Sequence, residues 1–343
     1  MRFFIKAVTM TFLMSVTAQA KDFISLAAVG DIMMGTTYPA NALPENQGKD
    51  LFKPALQWLQ ASDIRFGNFE GTFFDGSPQG DGKAGGPNRF LFRTPTDMVQ
   101  RLNEAGINVV SLANNHVKDF GQAGVASTKS TLRSAGIQFS SKAGEVAEFQ
   151  IEETSVALIA ADFYKAPRSI TEPASLYQEI SQLKAKGKLV VVSAHVGAEG
   201  SGAEIIKTGT EIFLGENRGD SIVFAHGAID AGADVIIMHG PHVPRGIELY
   251  QGRLVIYSLG NFMTGKGIMI DGISKLAPLI RIQIKKNGEF HQGQIVSFLQ
   301  KREPQRIELD PQAQALKLIR NLSAQQFPNS VLTFEDNGTF RAR

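Results

Sequence analysis

Short apolar runs that each stop at a polar cluster recur along the first two thirds of the chain. Phe23–Val29 is broken by Gly30-Asp31, Ile64–Gly67 is followed by Asn68-Phe69-Glu70, and Ile107–Ala113 gives way to Asn114-Asn115-His116. Ser155–Ala161 ends at Asp162, Leu189–Ala194 at His195, and Asp234–Met238 at His239. Runs of this length, rich in Val and Ile, predict buried strands. Between them the spacing becomes helical. Thr94-Pro95 with Asp97 starts a helix that carries Met98, Val99 and Leu102 and closes at Gly106. Asp119 with Gln122 has the form of a capping box opening a helix that ends at Gly136. Asp220 caps another, with Ile222, His226 and Ile229 on one side before Gly232. Alternating strands and helices predict an α/β fold, with mixed, mostly parallel sheets flanked by helices.

From about Arg245 the rhythm changes. Ile247–Tyr250 and Leu254–Ser258, joined at Gln251-Gly252, predict a hairpin, and Leu279–Lys285 with Glu289–Phe298, joined at Asn287-Gly288, predict a second. Antiparallel hairpins therefore finish the sheets. Beyond about residue 302 the chain is polar with two short apolar clusters, expected to dock on or flank the rest. With no internal repeat and no Pro-rich linker, residues 21–300 are expected to form one domain, with 301–343 as its tail.

The N-terminus breaks the pattern. Arg2 and Lys6 precede a mostly apolar run, Ala7–Val16, and Ala18-Gln19-Ala20 follows with small residues where a signal peptidase cuts. Residues 1–20 thus predict a signal peptide cleaved near Ala20, giving an exported protein, periplasmic or extracellular. The apolar run is too short for a bilayer core of roughly 30 Å, and no later stretch suits one, so no permanent membrane span is expected. The absence of cysteine removes disulfides, thiolate ligands and cysteine nucleophiles. Lys plus Arg number 35 against 33 Asp plus Glu. Without Arg2 and Lys6 the count is 33 against 33, which gives no electrostatic footing for nucleic-acid binding.

The candidate chemistry is positional. In open α/β sheets ligands bind outside the carboxyl ends of the strands. Asp31, Glu70, Asn115, His116, His195 and His239 each fall within a few residues of such an end. Singly, each has a structural explanation as a turn residue or a packed histidine; together they outline a site. Carboxylate, amide oxygen and imidazole without thiolate make a mixed oxygen and nitrogen donor set, suited to manganese, iron, zinc or magnesium. A bridging carboxylate would hold two ions about 3.5–4 Å apart, an arrangement that generates hydroxide and stabilises phosphoryl transfer. His116, beside Asn115, would be placed to protonate a leaving group. Of the other histidines, His226 is expected to pack and His291 to lie on the surface; Trp58 and the phenylalanines are expected in the core.

Seven strings carry a family resemblance. They are Gly30-Asp31-Ile32-Met33-Met34-Gly35, Asn68-Phe69-Glu70-Gly71, Ala113-Asn114-Asn115-His116-Val117-Lys118-Asp119-Phe120-Gly121, His195-Val196-Gly197-Ala198-Glu199, Ala225-His226 through Asp230-Ala231-Gly232-Ala233-Asp234, His239-Gly240-Pro241-His242-Val243, and Ser258-Leu259-Gly260-Asn261-Phe262. In this order they resemble the CapA family of poly-gamma-glutamate capsule biosynthesis, whose fold is similar to calcineurin-like metallophosphoesterases. The resemblance implies metal ligation by Asp31, Glu70, Asn115, His195 and one or both of His239 and His242, with Glu70 bridging one or two ions. It assigns the acid role to His116, and Arg93, Glu199 and Asn261 are expected to contact substrate.

There are departures. Met33 stands where the phosphoesterase pattern Asp-x-His has its histidine, a lack that CapA-like chains generally share. Gly240 occupies a position the family usually fills with histidine, and Val196 one usually filled by an aromatic. The first weakens one metal position and the second removes a possible ligand, whereas Val196 alters pocket lining more than ligation. The resemblance implies either a metal-dependent hydrolase of phosphoesters or glutamyl amides, or a non-catalytic component that binds an anionic polymer beside envelope polymer-synthesis machinery. An exported nucleotidase is a third reading, which requires an aromatic clamp for a base. Two Gly-rich stretches, Gly71–Pro87 and Gly197–Gly219, are placed to act as a lid or polymer groove.

Overall fold

Side chains of the strand Phe23–Met33 divide by parity, as a pleated strand requires. Leu26 and Ala28 point into one apolar core, Ala27 and Val29 into another. The computed structural model describes residues 21–77, 82, 90–141, 144–200 and 202–343. The expected signal peptide at 1–20 and part of the Gly71–Pro87 stretch lie outside the described residues.

Phe23–Met33 is central to a ten-stranded sheet. On one side run Ile64–Phe69, Val109–Ser111 and Gln138–Ser140, all parallel. On the other lie Leu276–Lys285 and Phe290–Arg302, antiparallel, continued by Thr339–Ala342 and Leu332–Phe334. A six-stranded sheet runs Ile247–Tyr250, Arg253–Ile256, Val235–His239, Leu189–His195, Thr154–Ala161, Ala147–Ile151. Its inner four strands are parallel.

One apolar core lies between the two sheets, joining Leu26, Phe66 and Ile280 to Leu158, Val191 and Ile237. The outer face of the larger sheet is covered by the helices Val99–Ala105 and Gly121–Ser134, which contribute Leu102 and Leu132. The outer face of the smaller sheet is covered by Ala174–Ala185 and Ser221–Asp230 through Ile180 and Phe224. The fold is thus the expected α/β arrangement, layered helix, sheet, sheet, helix. The final helix, Gln314–Gln326, packs Leu316 and Ile319 into the core between the sheets.

The structure corrects two local expectations. Gly30-Asp31 does not end the first strand, which runs on to Met33 with a shift of register. Up to Val29 the strand pairs with Leu276–Lys285; from Asp31 it pairs with Asn261–Thr264 instead. Gly30 permits the exchange, because a Cβ there would lie 1.8 Å from the Gly260 carbonyl oxygen. Asp119 does not cap the helix Gly121–Ser134, whose N-cap is Phe120; its carboxylate turns toward His116. Asp220 does cap its helix, accepting from the Ile222 and Val223 amides. Both predicted hairpins form.

Candidate functional site

Carboxyl ends from both sheets converge on one cavity of about 760 Å³. Register dictates much of its construction. Asp31 is paired with Asn68 on one neighbouring strand and Asn261 on the other, and His195 with His239 on adjacent parallel strands.

Asp31, Glu70 and His242 bring ligand-type atoms within 4.8 Å of one another. Asp31 is fully buried; one oxygen accepts from Asn68 Nδ2 at 2.8 Å and the other lies 3.0 Å from His242 Nδ1. Asn114 in turn donates to the Asn68 side-chain oxygen at 3.0 Å and to the Phe69 carbonyl at 2.9 Å. This amide relay fixes which way the Asp31 carboxylate faces. His242 Nδ1 is also 2.9 Å from Asn261 Oδ1. Two acceptors at Nδ1 make it the protonated nitrogen and direct Nε2 toward Glu70 and Glu199, 3.7 and 3.8 Å away.

Glu70 is fully buried, and neither carboxylate oxygen has a hydrogen-bond partner among the described residues. Burial pushes its carboxyl well above the usual range; His242 opposes this, while Asp31 and Glu199 add to it. For His242 burial disfavours the charged ring, but Glu70, Asp31 and Glu199 outweigh it and hold the imidazole well above its ordinary value. A buried carboxylate with unfilled acceptors is costly unless something cationic meets it. The donor set of two carboxylates and an imidazole nitrogen fits a divalent ion, which would take the place of the Nε2 proton of His242.

His195 and His239 form a second layer. Their Nδ1 atoms are 3.1 Å apart, and His239 Nε2 is 2.9 Å from Ser193 Oγ. Both His239 nitrogens are therefore engaged, whereas His195 Nε2 is buried without a partner among the described residues. Burial lowers both rings, His195 far below its usual range and His239 to about 4. Neutral imidazole is the form that ligates metal. Gly240, at φ 124°, leaves the room: a Cβ there would sit 3.1 Å from His195 Nε2.

His116 lines the cavity with Asn115. Its Nδ1 is 2.8 Å from Asp119 Oδ2, which also accepts from the Phe92 amide at 2.8 Å, and its ring packs on Phe92 at 4.4 Å. Nδ1 thus carries the proton that faces Asp119, which leaves Nε2 as the acceptor nitrogen of the neutral ring.

The three residues expected to contact substrate are distributed differently. Glu199 lines the cavity. Asn261 lies behind His242, its amide nitrogen donating to the Met269 and Ser274 carbonyls at 3.2 Å each. Arg93 is drawn away from the cavity: its guanidinium donates to Thr37 and to the Gly76 carbonyl and lies over the Tyr38 and Phe120 rings. Among the described residues the arginine that lines the cavity is Arg218, bonded to Glu199 at 3.2 Å and Glu216 at 2.9 Å and held over Phe163 at 4.3 Å. Nothing in the local sequence marks Arg218, which sits in the Gly-rich stretch 197–219. Asn68, Asn114 and Asp119 were visible in the motif strings, but their roles depend on strand register. His226 lies outside the site, stacked on Tyr250 and bonded to Glu248, and His291 is exposed against Phe23.

Among the described residues no helix is long and apolar enough to cross a membrane. A crystal structure of a 5'-nucleotidase precursor from Thermus thermophilus is similar at TM-score 0.44 and 15% identity, over 90% of this chain and 59% of that one. The chain is 27% identical over 293 residues to the PGA biosynthesis protein CapA of Bacillus subtilis (strain 168), covering 80% of this chain and 71% of that protein. It is 28% identical over 287 residues to the capsule biosynthesis protein CapA of Bacillus anthracis, covering 77% and 65%. It is also 28% identical over 231 residues to the probable polyglutamine synthesis accessory protein Rv0574c of Mycobacterium tuberculosis, covering 59% and 55%. Residues 25–266 match the profile described as bacterial capsule synthesis protein PGA_cap, and the chain belongs to that family.

Proposed function

We propose that this family member is an exported protein of capsule or poly-gamma-glutamate metabolism whose cavity is a metal-dependent hydrolase site, acting on a phosphoester or a glutamyl amide. One observation carries the reading: the Glu70 carboxylate is fully buried, lacks hydrogen-bond donors among the described residues, and lies with Asp31 and His242 so that their ligand-type atoms are within 4.8 Å of one another. Asp31, Glu70 and His242 would hold a divalent manganese, iron or zinc ion, with His195 Nε2 and Asn115 as the adjoining donors. Such an ion supplies an activated water and a Lewis acid for developing negative charge.

The protein's own groups then have distinct tasks. Asn68, Asn114 and Asn261 orient Asp31 and His242. Protonated on both nitrogens, the His116 ring would deliver its Nε2 proton to the leaving group, while Asp119 holds the Nδ1 proton in place. Arg218, held by Glu199 and Glu216, faces an anionic group of the substrate. His239, with both nitrogens engaged, serves to orient His195, so the site has fewer free imidazoles than the motif strings suggest.

The test is metal content by mass spectrometry on residues 21–343, beside Asp31→Ala and His195→Ala, with hydrolysis of a phosphomonoester and a glutamyl anilide followed in parallel. About one or two ions per chain, lost in Asp31→Ala, with turnover that disappears alongside, is expected. Protein that takes up no manganese, iron or zinc on reconstitution would overturn the hydrolase reading in favour of a polymer-binding component.

A further inference from the structure

The mouth of the cavity differs from its floor. Asn115, His116, Glu199, Arg218 and His242 form the polar floor. Around the opening stand Phe90, Leu214 and Met269, which are 55%, 79% and 65% exposed. They are three of the eight large hydrophobics exposed among the described residues. They come from three segments far apart in sequence, so local composition does not explain their meeting. Phe92, Tyr164, Phe213 and Ile268 continue the apolar surface inward.

The hairpin that carries Leu214 is built to present it. Ile212–Phe213 pairs with Glu216–Asn217, and the two-residue turn places Leu214 at φ 47° and Gly215 at φ 80°. Asn, Asp or Gly would normally occupy the first of these positions, yet a large apolar side chain is held there in solvent. The base of the hairpin is anchored, because the Arg218 guanidinium lies 5.2 Å from the Phe213 ring and 4.3 Å from Phe163. Phe90 and Phe92, which also line the cavity, stack nearly parallel, 6.5 Å apart.

Charge narrows the occupant further. Arg218 is the only arginine or lysine lining the cavity among the described residues, and it is already paired with Glu199 and Glu216, which line it too. A polyanion lying across the mouth would meet apolar side chains and carboxylates. A molecule with one anionic head and an apolar body would match both zones, and the volume suits a ligand of that size.

We propose that this apolar collar is a substrate subsite, which takes the hydrophobic or aromatic body of an amphiphilic ester or amide whose head group reaches the polar floor. The proposal rests on the cavity being the reactive site. It assigns Leu214, Met269 and Phe90 to specificity and leaves the chemistry to the residues below them.

The experiment is binding calorimetry of the protein with manganese against methyl-, butyl-, octyl- and phenylphosphonate, none of which has an ester to hydrolyse. Affinity should rise about two- to fourfold per buried methylene, giving at least about a 100-fold gain from methyl- to octylphosphonate, which adds seven. The exposed pair Leu214→Ser/Met269→Ser should remove about tenfold of that gain and leave methylphosphonate unchanged. Equal affinity along the series, an unaltered slope in the double variant, or tighter binding of a glutamate oligomer than of octylphosphonate would overturn the subsite. Should methylphosphonate also fail to bind, the head-group reading is the part at fault. The collar is then decided by 1-anilinonaphthalene-8-sulfonate fluorescence, which is lost in the double variant if the subsite exists and unchanged if it does not.

Discussion

The His116 ring is fixed on three counts: its Nδ1 faces Asp119, its face packs on Phe92, and its backbone amide donates to Asn114 Oδ1 at 3.0 Å. Under the proposed chemistry His116→Ala should lower turnover about 10²–10⁴-fold with metal content unchanged, a combination read by pairing steady-state kinetics with metal analysis. Asp119→Asn should lower it less, because the amide keeps a partner at Nδ1 but supplies no negative charge opposite the protonated ring. Away from the site, burial disfavours ionised Asp63, but Lys21 Nζ and the Ser25 hydroxyl and amide outweigh it and depress its pKa below 3.8. A depressed carboxyl contributes stability that is present above its unfolded pKa and lost as pH falls through the folded one. The melting temperature of Asp63→Asn should therefore lie below that of the wild type at pH 7 and approach it below about pH 4. Residue types at the site were legible in the sequence, since Asp31, Glu70, Asn115 and His116 stand in distinctive strings. Partnerships were not: Asp119 has the spacing of a helix cap, and only the bend of the chain after Asn115 shows that it serves the imidazole. Arg93 and Arg218 exchange expectations for the same reason, as each guanidinium is placed by contacts distant in sequence.

At the scale of elements, the segment from Gly197 to Gly219 decides the shape of the cavity, because it carries both Glu199 and Arg218. Its Gly content suggests looseness, yet Glu211 within it forms a bidentate pair with Arg245, at 2.7 and 2.9 Å, and both side chains are buried. Glu211 also accepts from the Ala198 amide, and Arg245 Nε donates to the Ala203 carbonyl. Removing one member leaves an uncompensated buried charge, so Arg245→Met should cost about 3–5 kcal/mol in urea unfolding. Cleavage by protease should increase between residues 197 and 219. The double variant Arg245→Met/Glu211→Leu should recover part of the loss, since both charges are then gone. Strands that are continuous apolar runs were legible, as were the two hairpins with their turn residues. The strand Asn261–Thr264 was not, although it completes the site, because its pairing with Phe23–Met33 depends on Gly30 admitting the Gly260 carbonyl.

For the whole molecule, the core between the sheets draws on both halves of the chain. The C-terminal residues belong to it: Ile319, fully buried on the helix Gln314–Gln326, packs there, and Thr339–Ala342 extends the larger sheet. Ile319→Ala should cost about 2–5 kcal/mol. If residues 301–343 share one folding unit with 21–300, a single unfolding transition will move as a whole in both near- and far-ultraviolet circular dichroism. The sequence by itself determined the layered α/β class, because apolar period and turn chemistry are local properties. It also determined the family, through strings of residues whose order survives in one dimension, and the candidate side chains, through their clustering after strands. Tertiary structure decided which of those side chains meet. Sheet register set Asp31 between Asn68 and Asn261, the crossing at Gly30 brought His242 onto Asp31, and a buried ion pair put Arg218 rather than Arg93 at the cavity. Those contacts join residues up to 211 positions apart, a distance over which no local pattern carries information.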